Sequence, residues 1–484
     1  MKASRSFLTG GIYAIATRGA YALAQVMYLA VMARLLKPDD FGTFAIAVSI
    51  TTVATMLSNF GFSTTIFQVK RLTSNEISAL FWANLLLAVA LSVALILARN
   101  IIGHFFQVPA LSWAVLILAI TVPFTAVASI FKALLSRHQK WKAVYPGFLV
   151  GQLLALFLSI IYAIFFRRDY TALLVNPAAT AVFSMFIFGY YASWMPRLEV
   201  RFRETFGLLA HGSALSATGL GNFFNRQSDN LLIGWQWTAS DLGFYTRAYA
   251  IFTIPSTILV IPLQPVILSG LRKLRHDEEA WRQRWMQGAV GLTLVTGLIS
   301  VVTFRFSNSI VGLIYGSGWE TAVPILQALS LSIPSVTIGQ MLAWGMISTR
   351  GSGTLLVFSL STSLLRFGAF WIAVPYGVLY VAVAWSVTSW VFPIFLVAVA
   401  LRSGLLTWDN IFTSFAWPLF AIFASLGVAG IVFLLEKSGP MHCYWALFEC
   451  MFYLALFGAV ALRHPISRQF VIWLYLRLKP PSET

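Results

Sequence analysis

Asp40-Phe41-Gly42-Thr43-Phe44 and Asp241-Leu242-Gly243-Phe244-Tyr245 stand 201 residues apart, each between two long apolar segments. The basic runs Lys70-Arg71 and Arg272-Lys273 keep nearly the same interval. A unit of about 200 residues that holds six hydrophobic spans is too long for a solenoid repeat. It has the size of half a transporter whose two bundles rock about a central site. The expected organisation is a six-span lobe over 1–200, a second over 201–402, and a segment 403–484 with two further helices and a tail.

Hydrophobic residues make up 59% of the 484-residue chain and charged ones 10%, with mean hydropathy +0.80. No soluble core needs that much apolar surface, so the chain is expected to be an all-α polytopic membrane protein. Crossing ~30 Å of hydrocarbon takes ~20 apolar residues in a helix. The pattern predicts about fourteen spans: 8–33, 41–66, 77–101, 110–136, 143–166, 172–194, 206–234, 242–268, 287–314, 321–348, 352–374, 377–401, 411–434 and 442–462. Continuous runs of this length, rather than ten-residue alternating segments, exclude an outer-membrane barrel. The opening, with Lys2 and Arg5 before an apolar run, has the shape of a signal peptide. It lacks a small-residue cleavage site and is expected to stay as an anchor.

The net charge of +17 does not point to nucleic acid. With the N-terminus cytoplasmic and sides alternating, twenty-one of the 33 basic residues fall in inner segments and seven in outer ones. Such a bias fits the positive-inside rule, with both termini cytoplasmic. The inner face would also attract anionic lipid headgroups. Cys443 and Cys450 share one span, which argues against disulfides and metal sites. The chain shows no paired catalytic carboxylates, Ser/His/Asp set, His/Cys cluster or glycine-rich phosphate loop, and no outer loop above roughly fifteen residues. Asp39-Asp40 reads as a helix cap. No cofactor, metal or catalytic residue is expected.

Ionisable groups at membrane depth are the functional pointers. In span 7, Asn222, Arg226, Asp229 and Ile233 share a stripe, and Arg226 and Asp229 are spaced to pair. That pair is open to two readings: a structural ion pair, or a titratable switch in which Asp229 responds to an anion drawn to Arg226. Arg18, Tyr21, Gln25 and Tyr28 form a stripe in span 1, where no acid is present to pair Arg18. Arg366 lies mid-span after Thr362 and Ser363 and is the cation hardest to explain by snorkelling. Lys132 and Arg247 lie near span ends and read as snorkelling residues. Five cations within spans face only Asp229 and Glu449. Such an excess calls for an anion, and guanidinium groups match phosphate bidentately. The expected cargo carries phosphate or another strong anion. Arg18, Gln25, Asn222, Arg226 and Arg366 are the candidate binding residues, and Asp229 the candidate coupling residue.

The segment Arg34-Leu35-Leu36-Lys37-Pro38-Asp39-Asp40-Phe41-Gly42-Thr43-Phe44 resembles the first hairpin of Wzx-type polysaccharide-unit flippases. Asn225-Arg226-Gln227-Ser228-Asp229-Asn230-Leu231-Leu232-Ile233-Gly234, followed by Leu242-Gly243-Phe244-Tyr245-Thr246-Arg247-Ala248-Tyr249, resembles the colanic-acid-exporter-like branch. These proteins share a superfamily with MATE drug exporters and lipid II flippases. The resemblance implies two pseudo-symmetric six-helix lobes, a cationic cavity, and alternating access. The implied substrate is undecaprenyl-diphosphate-linked oligosaccharide, moved across the bacterial inner membrane for exopolysaccharide or O-antigen synthesis. A polysaccharide polymerase and a chain-length regulator are the implied partners. The alternatives are a MATE-like drug or cation antiporter, which expects an acid at mid-membrane in spans 1–6, where none is found, and a lipid II flippase. In a different class stands a polytopic glycosyltransferase or polymerase.

Overall fold

The computed structural model describes residues 2–59, 61–69, 72–197, 227–350, 353–436, 451–453 and 455–460. Among them every regular element is helical, and no strand occurs. Ten helices are long and apolar enough to cross a membrane. They match ten of the fourteen expected spans, so the chain is a multi-pass membrane protein. Helices α1 (Lys2–Leu35) and α15 (Gly353–Ala373) lie over the first and eleventh spans. The seventh and fourteenth are described only over 227–236 (α8) and 451–460 (α18).

Chain contacts divide the molecule into two compact units. The first comprises Met1–Arg247, Ile314–Trp319 and Phe358–Val381. Its bundle runs α1, α2 (Pro38–Ser58), α3 (Phe62–Gln68), α4 (Ser74–Phe105), α5 (Ala110–Arg137), α6 (Trp141–Phe165) and α7 (Tyr170–Ala192), with α5 and α7 at the centre. Ile66, Leu80, Ile130, Leu135 and Phe188 anchor one apolar core of this bundle.

The second unit comprises Ala248–Leu313, Glu320–Val357 and Ala382–Thr484. It is organised on α11 (Glu278–Arg305), against which α13 (Ala322–Ser330), α14 (Ile333–Arg350) and α17 (Trp408–Glu436) pack. Val290, Leu294 and Val301 of α11 meet Ala421, Ile422 and Ala429 of α17 and Tyr453 and Phe457 of α18. The two C-terminal helices therefore complete the core around α11. Buried indoles fix the packing: Trp281 Nε1 donates to Ser348 Oγ at 3.0 Å and Trp285 Nε1 to the Met341 carbonyl at 2.9 Å.

Three boundaries differ from expectation, each for a local reason. The expected span 41–66 breaks after Ser58, and Gly61 (φ 80°) starts the short α3. The expected span 287–314 instead begins at Glu278 and ends at Arg305, with a separate helix, α12 (Ser307–Tyr315), following it. Asp277 caps α11 by accepting from Ala280 N at 3.0 Å, and burial of Trp281 and Trp285 one turn apart extends the helix into the polar stretch expected as loop. Finally, α9 (Ala239–Pro255) passes through a π-turn, Ser256–Val260, into α10 (Ile261–Lys273). Pro255, Pro262 and Pro265 each lack an amide donor, and the ladder shifts register around them.

Candidate functional site

The repeated motif builds the framework of the site. Both of its aspartates act at helix starts. Asp40 Oδ2 accepts from Lys37 N at 3.0 Å and its Oδ1 from Tyr170 N at 2.8 Å. Asp241 Oδ2 accepts from Thr238 Oγ1 at 2.6 Å. The glycines serve a close crossing. A methyl group on Gly42 would run into the Ala239 carbonyl, and one on Gly243 would run into the Pro38 carbonyl. These two contacts are exchanged by the same 201-residue offset, so the starts of α2 and α9 cross about a local pseudo-two-fold. Phe41 and Leu242, equivalent under that offset, are both fully buried.

An aromatic plug fills this end of the first unit. Trp319 lies 5.4 Å from the Phe41 ring, 5.8 Å from Phe244 and 5.4 Å from Tyr315, and its Nε1 donates to the Ala33 carbonyl at 3.0 Å. Tyr315 OH donates to the Arg247 carbonyl at 2.9 Å. The Arg247 guanidinium stacks 4.4 Å from the Phe41 centroid and is 8% exposed. Its Nε and Nη1 have no acceptor within reach among the described residues. The Tyr28 and Tyr315 phenols lie close enough to act on its charge. Tyr28 is itself held: Ser159 donates its one hydroxyl proton to the Ala172 carbonyl at 2.7 Å, so Tyr28 OH donates to Ser159 Oγ at 2.9 Å.

Asp229 is the one buried carboxylate among the described residues. It accepts from Tyr245 OH at 2.7 Å and from Asn230 N at 2.9 Å. Tyr245 belongs to the motif, so the repeat itself orients the acid. Arg366 of α15, also 8% exposed, is the guanidinium whose charge acts on Asp229. Thr362 and Ser363, one turn before Arg366, are buried with it, while Leu364 and Leu365 face outward. Gln227 joins this side to α2, its Oε1 accepting from Ser49 Oγ at 2.9 Å and from Asn230 Nδ2 at 2.8 Å.

The structure thus brings together Asp229 and Arg366 from the candidate set. Asn222 and Arg226 lie outside the described residues, as do Glu449, Cys443 and Cys450, and of Arg18 only the helical backbone is described. Gln25 is exposed, whereas its stripe neighbours Tyr21 and Tyr28 pack on Phe148 and Ser159. Lys132 is exposed above the Phe148 ring, as a snorkelling residue should be. Arg247 corrects the sequence reading, being buried in aromatic rings rather than extended to the surface. Nothing in its own helix signals this, because the rings that enclose it come from distant parts of the chain. Tyr315 and Trp319 carry no signal of their own.

Comparison with known proteins agrees with this architecture. The chain is 26% identical over 310 residues to the lipopolysaccharide biosynthesis protein WzxC of Escherichia coli (strain K12), covering 63% of this chain and 62% of that one. It is 20% identical over 304 residues to the succinoglycan biosynthesis transport protein ExoT of Rhizobium meliloti (strain 1021), covering 62% and 61%. The chain thus spans less than two thirds of the length of these relatives. Its fold is similar to that of the lipid II flippase MurJ in an inward closed conformation, with TM-score 0.73, 14% identity, and 97% of this chain and 100% of that one covered. It is also similar to an inward-facing multidrug resistance MATE family transporter of the MOP superfamily, with TM-score 0.54, 14% identity, and 82% and 95% covered. The sequence signature of one family, described as polysaccharide biosynthesis protein, matches residues 31–324, and the chain belongs to that family.

Proposed function

We propose that the protein is a flippase for lipid-linked oligosaccharide diphosphates, moving them across the bacterial inner membrane by alternating access. The observation that carries this reading is the buried charge among the described residues of the first unit, two guanidinium groups (Arg247 and Arg366) against one carboxylate. A lone buried cation in an apolar bundle costs several kcal/mol, on the order given for ions without a partner. A diphosphate supplies that partner while its lipid tail stays in the bilayer. Arg18, Gln25, Asn222, Arg226, Arg366 and Arg247 are assigned to cargo binding and Asp229 to coupling. The lobes are those of the sequence reading, 1–200 and 201–402, with both termini cytoplasmic. A polysaccharide polymerase and a chain-length regulator act downstream.

The motif crossing and the plug around Trp319 form the outer seal in this reading. The first six spans place Tyr28, Ser159 and Asn59 in their interior and no buried acid among the described residues. That composition disfavours a drug-cation antiporter. The test is purified protein in vesicles loaded on one leaflet with a labelled lipid-diphosphate oligosaccharide. Transfer to the other leaflet with the glycosidic bonds intact is the expected result. Sugar release without transfer would establish a glycosyltransferase or polymerase instead.

A further inference from the structure

At one end of the first unit α4 begins while α5 and α7 end, and a cavity of about 170 Å³ lies among the three. Its floor is apolar: Ile77, Leu134 and Leu135 line it and are buried in the core of the same bundle. Its rim carries His138 and Lys140, from the turn after α5, and Trp194, from the turn after α7. None of these residues belongs to the site assigned to cargo.

Two turns aim the rim at the cavity, and each passes through a left-handed residue. Gln139 (φ 53°) closes α5: its N–H donates to the Ser136 carbonyl at 3.1 Å, and that of Lys140 donates to the Leu135 carbonyl at 2.9 Å. Ser193 (φ 50°) closes α7, its N–H donating to the Gly189 carbonyl at 3.2 Å. Helix ends of this shape ordinarily use glycine, because a Cβ crowds the backbone there. Among the described residues three without a glycine's freedom have positive φ, and two of them, Gln139 and Ser193, directly precede a residue of this rim. Lys140 Nζ donates to the Tyr191 carbonyl at 3.1 Å, which joins the two turns. The Trp194 ring lies 6.0 Å from Phe81 of α4. The segment after it is tied across the start of α4, with Arg197 N donating to Ser78 Oγ at 3.0 Å and Trp82 Nε1 to the Arg197 carbonyl at 2.9 Å.

The ionisable groups that line the cavity are both basic. Lys140 uses one of its three ammonium protons on Tyr191 and keeps its charge. The acid of the adjoining turn, Glu76, is engaged in the N-cap of α4, accepting from Thr73 N at 2.6 Å and Thr73 Oγ1 at 2.9 Å. His138 and Lys140 are exposed, so the rim is open to a ligand. A basic rim over an apolar floor, at the ends of membrane-spanning helices, fits an anion that is itself amphipathic. A free phosphate would leave the floor uncovered, and an uncharged lipid would leave Lys140 without a counter-charge. We propose that this cavity binds the headgroup of an anionic phospholipid. His138 and Lys140 donate to its phosphate, while its glycerol and first acyl carbons lie on Leu134, Ile77 and the Trp194 ring. In the topology proposed above, this is a lipid of the cytoplasmic leaflet. Touching α4, α5 and α7 at once, it holds their ends together. The binding itself does not rest on the flippase reading.

The experiment measures thermal unfolding of the full chain, purified in an uncharged detergent, with added phosphatidylglycerol, phosphatidylcholine or free glycerol 3-phosphate. Linkage gives a stabilisation that grows with ligand, and for a chain of this size a rise of about 2 °C at about ten times the dissociation constant is expected. Phosphatidylglycerol should give this rise and the other two should not. His138→Gln combined with Lys140→Gln should remove most of it. Ala192→Leu, which narrows the cavity and keeps both bases, should remove it as well. Lys142→Gln, at an exposed base outside the lining, should retain it. An equal rise with phosphatidylcholine would overturn anion recognition, and an equal rise with glycerol 3-phosphate would make the ligand a free phosphate ester. A rise kept in the double variant, or lost as fully in Lys142→Gln, would overturn the site and assign the effect to diffuse surface charge. No rise in the parent would overturn it outright. Should Ala192→Leu fail to fold, the parent, the double variant and Lys142→Gln decide the matter. Because no transport is read, failure here leaves the flippase reading untouched, and failure of transport leaves this site standing.

Discussion

Replacing Arg247 by alanine removes a guanidinium that rests on the Phe41 ring with two nitrogens lacking acceptors among the described residues. In a soluble core such a change would relieve strain, since a buried cation without a partner is destabilising. The expected outcome is therefore asymmetric. Arg247→Ala should keep or raise the amount of folded protein, yet lower cargo transfer at least about tenfold, the factor for losing a charge-assisted phosphate contact of ~1.4 kcal/mol or more. Arg247→Lys should recover part of the transfer, because it keeps charge but not the planar fork. Arg366→Ala differs, since that group acts on Asp229. It should lower both folded protein and transfer. Vesicle transfer normalised to folded protein separates the two cases, and unchanged transfer in Arg247→Ala would remove it from the site.

Asp229 carries a second prediction. Its carboxylate accepts a hydrogen bond from Tyr245 OH and sits within the field of Arg366. Asp229→Asn keeps the shape and the oxygen that can accept from Tyr245, turns the other acceptor into a donor, and removes the charge. Under the coupling assignment this variant still binds cargo and loses its response to an imposed pH gradient. If Asp229 only fixes packing, the response per folded molecule is retained. Tyr245→Phe should weaken the response without abolishing it.

Helices in this chain were mostly legible in advance, and the exceptions have physical causes. Long apolar runs leave a single solution in lipid, where every backbone group must bond within its own helix. That is why ten described spans fall where hydropathy puts them. The misread boundaries lie where side chains overrule hydropathy. Two tryptophans buried on partner helices pull Glu278–Gln287 into α11, and an asparagine cap with Gly61 interrupts α2. Arg366 is legible because its helix neighbours are polar on one side and leucine on the other. Arg247 is not, because nothing in its own helix shows that Trp319, seventy-two residues later, closes over Phe41. Long-range aromatic packing leaves no periodic trace.

Gly42 and Gly243 make a prediction about the helices that carry them. Each lies against a backbone carbonyl, which has no rotamer to adopt, so an added methyl must move a whole helix. Overpacking of this sort costs ~1–3 kcal/mol. Gly42→Ala and Gly243→Ala should each destabilise the crossed arrangement by that order. Alanine at Gly270, where nothing lies within 4 Å, should have little effect. Limited proteolysis or thermal unfolding would show the contrast. Equal tolerance at all three positions would mean that the α2–α9 crossing is not a preferred state.

Taken over the full chain, the 201-residue offset relates more than a motif. It exchanges Pro38 with Ala239, Phe41 with Leu242 and Gly42 with Gly243, and the contacts among them are reciprocal. A crossing built by symmetry is expected to open by symmetry, since the carbonyl against each glycine lies on the helix that carries the other glycine. The measurable consequence is parallel exposure of Phe41 and Leu242, both fully buried in the closed arrangement. With Cys443 and Cys450 replaced by serine, Phe41→Cys and Leu242→Cys should resist a membrane-impermeant thiol reagent applied from outside. Adding Gly243→Val, which props the crossing apart, should raise both labelling rates by a similar factor. Trp319→Ala should raise them less, since it removes the plug and leaves the crossing. Labelling of one cysteine without the other would mean that the two contacts open independently, and the repeat would then not be the hinge of the proposed outer seal.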